Sequence, residues 1–295
     1  MTRAQRAGVG AAAIAFTWWG LLPLFLRPLG GVPALQITAW RYLMSCVCTL
    51  AVLGWRREIA ATLQALRVPA VAWRLLASAV LLGVNWGLYV WAVGHGQVVN
   101  ASLGYFINPL VNVLLGVAVL HERLGPRQWF AVALAALGVL CLGLSSGQVP
   151  WIALLLAGSF SCYGLLRKTV AVGALPGLAI ETLLGAPAAL ALLVVAEARA
   201  ANAFHHSAGI WTLLLLTGPV SAVPLALFAF SARRIEYSTV GMLQYCTPTL
   251  QFLCGVLVFR EPLSTTKLAC FTLIWAGLVV YASSHWRIRR EPHLA

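Results

Sequence analysis

Aspartate is absent from this 295-residue chain, and only seven acidic residues stand against 20 basic ones. Charged residues amount to 9% of the sequence and hydrophobic ones to 61%. So little charge excludes a single water-soluble core, because this much apolar surface has to face lipid. Hydrolysis or group transfer would need a nucleophile with its base, paired acids or a metal cluster. Without aspartate, and with six scattered histidines of which His205 and His206 share a loop, none of these sets is visible. No GxxxxGK[ST] loop is present to hold a nucleotide. The cysteines at 46, 48, 141, 162, 246, 254 and 270 form no CxxC pair, so they read as small packed thiols. The expectation is no enzyme, no cofactor and no metal site.

What the chain has in abundance is apolar runs of membrane length. The pattern predicts ten membrane helices, near residues 7–27, 34–54, 72–94, 100–120, 127–146, 149–166, 175–196, 211–232, 238–259 and 266–285. Each is close to the ~20 residues that a bilayer core requires. Basic residues punctuate these runs instead of clustering on a soluble face, so the +13 charge is a topology signal and nucleic acid is not an expected partner. With the N-terminus in the cytoplasm, 15 basic residues fall on that side and four (Arg27, Arg199, Arg260, Lys267) on the other. The positive-inside rule then places both termini in the cytoplasm. The first helix follows Arg3 and Arg6 as a signal peptide would, but its apolar run is too long, and it is expected to remain uncleaved.

The sequence also repeats itself. Pro109, Gly116, Glu122, Leu124 and Gly138 recur as Pro248, Gly255, Glu261, Leu263 and Gly277 at a constant offset of 139 residues. Five helices per copy is an odd number, so the second copy inserts upside down. The expected fold class is therefore an all-α integral membrane protein, ten transmembrane helices arranged as two inverted five-helix repeats, 1–147 and 148–295. Internal repeats with broken helices at matching positions point to the substrate site of a secondary transporter.

On the fourth predicted helix Tyr105, Asn108, Asn112 and Gly116 step by three or four residues and share one narrow face; the repeat sets Gln244, Thr247, Gln251 and Gly255 at the same positions of the ninth. Pro109 and Pro248 each remove a backbone hydrogen bond, freeing the carbonyls of Tyr105 and Gln244. Such carbonyls are tolerated at membrane depth where protein or cavity water satisfies them. The stripes are expected to line a cavity; the alternative is that their amides merely join helices. Trp19, Asn85 and Tyr89 are further candidates for substrate binding. Pro219 and Pro224 suggest a kink or gate in the eighth helix. Tryptophans near helix ends, such as Trp55, Trp73, Trp129, Trp151, Trp211 and Trp286, read as interfacial anchors.

Two charges lie well inside predicted helices, Arg41 and Glu181, and a central charge costs ~2.5–3.5 kcal/mol. Glu181 is a candidate carrier of a coupling proton, or an acceptor of hydrogen bonds from a neighbouring helix. Arg41 is a candidate for binding a substrate carboxylate, or for neutralising backbone carbonyls. Glu122 and Glu261 end helices and are read as caps for the helices that follow. Gly138 and Gly143 are compatible with packing within one protomer or between two, which leaves the oligomeric state open.

Several stretches carry a resemblance: Ala101 to Leu110 (ASLGYFINPL), Tyr163 to Lys168 (YGLLRK), Ile180-Glu181-Thr182 and Gln244 to Gln251 (QYCTPTLQ). Together they resemble the RarD type of the EamA family, within the drug/metabolite transporter superfamily, over nearly the whole chain. The resemblance implies two inverted five-helix repeats, residence in the bacterial inner membrane, and a permease role that the branch's name ties to chloramphenicol sensitivity. This chain departs from the pattern at Trp40, Asn100, His121 and Arg260. The leading functional expectation is a secondary transporter of a small organic metabolite or amphiphilic drug, directed outward, working by alternating access around a midplane cavity. Its partners would be a small-molecule substrate and the lipid bilayer. An intramembrane lipid-processing enzyme and a lipid-linked sugar flippase are the alternatives.

Overall fold

A computed structural model describes residues 2–94, 98–144, 151–199, 204, 206–258 and 265–287. Among these residues all regular structure is helical: α1 (Arg3–Leu26), α2 (Ala34–Trp55), α3 (Ile59–Gln64), α4 (Pro69–Gly94), α5 (Val98–Ala118), α6 (Pro126–Leu144), α7 (Trp151–Thr169), α8 (Ala174–Ala198), α9 (Ala208–Ala232), α10 (Tyr237–Gln244), α11 (Cys246–Leu253) and α12 (Thr265–Arg287). Five stretches, Arg3–Leu29, Ala34–Trp55, Pro69–Tyr89, Ala174–Ala198 and Ala208–Ala232, are long and apolar enough to cross a membrane. Shorter apolar helical stretches occupy Gly104–Ala118, Pro126–Cys141 and Leu268–Tyr281. Many outward side chains are large and apolar, among them Val47, Leu114, Leu140, Leu154 and Leu215. Such a surface would be untenable in water and is ordinary against acyl chains.

Within the described residues the predicted spans coincide with helix, with two differences; residues 145–146, 149–150 and 259 of those spans lie outside the described set. A short helix, α3, forms in the connection 55–71. The predicted helix 238–259 is divided into α10, α11 and a π-helical turn, Cys254–Val258. The break falls at Tyr245, directly after Gln244, whose carbonyl Pro248 deprives of its usual partner. The matching proline of the first half, Pro109, is accommodated inside an unbroken α5. Pro219 and Pro224 likewise lie within an unbroken α9.

Helix packing follows a reciprocal scheme. α5 packs on α7, and α11 on α1; α4 packs on α7, and α9 on α1; α2 packs on α9, and α4 on α8. In addition α6 packs on α12, α2 on α8, and α5 on α10. The α6–α12 contact is intimate because both helices offer glycine: a Cβ on Gly138 would lie 2.8 Å from the carbonyl oxygen of Cys270, and one on Gly277 would lie 2.7 Å from that of Ala131. Gly138 thus packs within the protomer.

Candidate functional site

Where α1, α2, α4, α5, α7, α9, α10 and α11 converge they line a cavity of about 120 Å³. Its wall contains Trp19 and Pro23 from α1, Thr38 and Arg41 from α2, and Asn85, Trp86 and Tyr89 from α4. Tyr105 and Asn108 come from α5, Phe160 from α7, Gln244 from α10, and Thr247 and Gln251 from α11. The volume is below the ~300 Å³ of drug-sized sites, so in this conformation the cavity has room only for a small molecule.

Aromatic rings make the apolar part of the wall. Trp19 and Phe160 meet edge to face with ring centroids 5.8 Å apart, and Tyr89 and Tyr105 with centroids 6.0 Å apart. Phe160 was not singled out in the sequence. The register that aligns Trp18-Trp19-Gly20 with Cys162-Tyr163-Gly164 also aligns it with Phe16, an aromatic buried beside Trp19, and could have found it.

The polar residues are tied to neighbouring helices as well as facing the cavity. Asn85 donates through Nδ2 to the carbonyl of Leu156 (2.9 Å) and to Ser159 Oγ (3.0 Å) on α7. Asn108 Oδ1 accepts from Ser161 Oγ at 2.5 Å. Thr247 Oγ1 donates to the carbonyl of Phe16 at 2.9 Å. Gln251 Nε2 donates to the carbonyl of Trp19 at 3.3 Å. That last carbonyl is the one released by Pro23, four residues on, so the cavity amide satisfies a proline-freed acceptor. Joining helices and lining a cavity are therefore the same residues' work.

Asn112 stands apart from the other stripe residues. It is fully buried outside the cavity and donates through Nδ2 to Gln244 Oε1 at 2.7 Å, directly linking the two repeated stripes.

Pro109, Pro224 and Pro248 each adjoin in sequence a residue of the wall, Asn108, Leu225 and Thr247. Pro224 frees the carbonyl of Val220, which accepts a hydrogen bond from Trp18 Nε1 of α1 at 3.1 Å. Trp18, next in sequence to the wall residue Trp19, thus ties α1 to α9.

The two intramembrane charges are separated. Arg41 lines the cavity, donating through Nε to Ser221 Oγ of α9 at 3.0 Å, with its guanidinium carbon 4.7 Å from the centroid of Trp86. Glu181 lies elsewhere, fully buried, where it pairs with Arg167 Nη1 at 3.5 Å and accepts from Ser78 Oγ (2.5 Å) and Tyr163 Oη (3.2 Å). Arg167 stands in the last turn of α7, where the positive-inside count takes it for a flanking residue, yet its side chain turns inward. It is completely buried and also donates through Nη2 to the carbonyls of Gly173 and Ala174.

Glu122 also departs from expectation. It does not cap α6, the helix that follows it; its two carboxylate oxygens accept from the backbone N–H groups of Tyr237 (2.5 Å) and Ser238 (2.9 Å), the first turn of α10. Gln128 serves α6 instead, accepting from Gly125 N at 2.7 Å. Glu261 lies outside the described residues.

Known proteins share this chain. Residues 6–144 match the model of the EamA-like transporter family. An uncharacterised transporter of Pseudomonas aeruginosa is 42% identical, with 97% of each chain covered. The chain belongs to the EamA-like transporter family. Within that family it is 43% identical to the protein RarD of Streptomyces exfoliatus, covering 97% of this chain and 91% of that one. With the protein RarD of Escherichia coli it shares 39% identity over 94% of both. A solved crystal structure superposes with a TM-score of 0.71 at 22% identity, covering 94% of this chain and 97% of that one, and shows likeness of fold alone. As an EamA family member the chain is a multi-pass membrane transporter and not an enzyme.

Proposed function

We propose that this EamA protein is a secondary transporter of the bacterial inner membrane that carries small organic metabolites or amphiphilic drugs outward by alternating access. The observation that carries the reading is the cavity itself, whose polar and aromatic wall is drawn from both halves of the chain, from Trp19 to Asn108 and from Leu156 to Gln251. Trp19, Asn85, Tyr89, Tyr105, Asn108, Gln244, Thr247 and Gln251 contact the solute in this reading, while Asn112 couples the two stripes from behind. Pro109, Pro219, Pro224 and Pro248 provide the points at which α5, α9 and the α10–α11 unit flex.

The architecture proposed for it is ten membrane spans in two inverted repeats, 1–147 and 148–295. The reciprocal helix pairings support this arrangement, since exchanging each helix with its counterpart in the other half turns α5–α7 into α11–α1, α4–α7 into α9–α1 and α2–α9 into α8–α4. α6 and α12 form the hinge about which the repeats rock in opposite senses, opening the cavity first to one side and then to the other. Both termini lie in the cytoplasm, by the excess of arginine on that side.

Glu181 serves in this reading as a structural pair with Arg167 and carries no coupling proton, because its carboxylate is already engaged by one guanidinium and two hydroxyls away from the cavity. The test is uptake and efflux of labelled aromatic and zwitterionic solutes in proteoliposomes, with and without an imposed pH gradient, for wild type and Glu181→Gln. Solute movement that responds to the gradient in the same way in both proteins is the expected result. Gradient-driven movement lost only in the variant would return Glu181 to the role of proton carrier.

A further inference from the structure

We infer that the transported solute is a monoanionic organic carboxylate with a flat apolar body, and that the guanidinium of Arg41 is its recognition point; this rests on the transporter reading given above. Arg41 presents its guanidinium to the cavity, yet among the described residues no carboxylate lines the wall. The buried acid among the described residues, Glu181, is held by Arg167 in a different place. An intramembrane charge without a protein counter-ion is costly, and the deficit is removed when the ligand brings the opposite charge.

The side chain is prepared for that ligand. Ser221 of α9 fixes Nε, and the indole of Trp86 supports the guanidinium face. Among the described residues Nε makes the side chain's sole hydrogen bond, so the two Nη groups remain for the cavity. A guanidinium whose edge is unfilled and whose plane is clamped accepts a carboxylate through two parallel hydrogen bonds. Tyr89, Tyr105, Trp19 and Phe160 then supply apolar walls for the rest of the molecule. One cation matches one negative charge, which favours a carboxylate over a doubly charged phosphate. Among the described residues an ammonium group would meet amides and hydroxyls but no acid, which favours a simple acid over an amine or a zwitterion.

The test uses proteoliposomes and four labelled probes that share one aromatic body: phenylacetate, phenylacetamide, phenethylamine and phenylalanine. Phenylacetate is expected to enter saturably and at least roughly tenfold faster than the amide or the amine, after subtraction of protein-free vesicles. Arg41→Gln should abolish that preference and Arg41→Lys should retain part of it, with melting curves and size exclusion establishing that both variants fold. Equal movement of amide or amine, or an undiminished preference in Arg41→Gln, would overturn the anion inference and leave the transporter reading in place. If no probe of any charge, in this set or in the wider panel above, moves faster than through protein-free vesicles, the transporter reading fails and the inference fails with it.

Discussion

Gly138 and Gly277 occupy each other's counterpart position across the α6–α12 interface. Gly138 packs against Cys270, Leu273 and Ile274, while Gly277 packs against Ala131, Leu134 and Ala135. Each of the second three residues is the repeat equivalent of one of the first three at the same 139-residue offset. The 139-residue correspondence in the sequence thus reappears, at these two glycines, as reciprocal contact in space.

Valine at either glycine would place its Cβ within 3 Å of a backbone oxygen that cannot move without shifting a helix. Gly138→Val and Gly277→Val are each expected to lower stability by about 1–3 kcal/mol, the usual cost of overpacking. Thermal melting in detergent should show comparable losses in the two, and an effect confined to one would contradict the reciprocity.

Glu181→Gln removes one member of a fully buried ion pair and leaves the Arg167 charge without compensation. The expected cost is about 3–5 kcal/mol, whereas Glu181→Gln combined with Arg167→Met should be less damaging than the single change. Melting temperatures of the three proteins decide it; a double variant worse than Glu181→Gln alone would sink the account.

Glu122 holds the start of α10 although it lies 115 residues earlier in the chain. Glu122→Ala should cost about 0.5–2 kcal/mol, as for loss of other N-terminal caps. Hydrogen exchange followed by mass spectrometry should place the new exposure at Tyr237 and Ser238; exposure at the start of α6 instead would mean that the carboxylate caps its own neighbour.

Trp18 and Pro224 act as a pair, the proline freeing the carbonyl of Val220 and the indole satisfying it. Trp18→Phe should destabilise by about 1–3 kcal/mol, because the Val220 carbonyl is left unpaired on a lipid-facing surface that supplies no donor. In a Pro224→Ala background, where the helix can reclaim that carbonyl, the same change should cost less, and a double-mutant cycle on melting free energies measures the coupling. Strictly additive losses would refute the pairing.

The helices were legible in the sequence because membrane length and hydropathy are local properties. Pro69–Gly94 or Ala174–Ala198 could hardly form anything else in lipid. The stripe of Tyr105 and Asn108 was legible for the same reason: a spacing of three to four puts residues on one face whatever the neighbours are. Asn112 fits that spacing equally well, yet lies outside the cavity because α10 comes close enough for Gln244 to cover it. The break at Tyr245 was half legible; Pro248 announced a lost hydrogen bond, but Pro109 carries the same mark and its helix is unbroken.

The 139-residue correspondence, the helical character of the described spans and the faces on which polar residues lie can all be read along the chain, the last two because composition and periods of a few residues carry them. The tertiary structure alone decided which partners meet. It brought Glu181 to Arg167 and left Arg41 to the cavity, it sent Glu122 to α10 instead of α6, and it placed Gly138 inside the protomer. The physical reason is that these are contacts between helices far apart in the chain. In lipid such contacts follow from close packing and the need to satisfy buried polar groups, which no local pattern encodes.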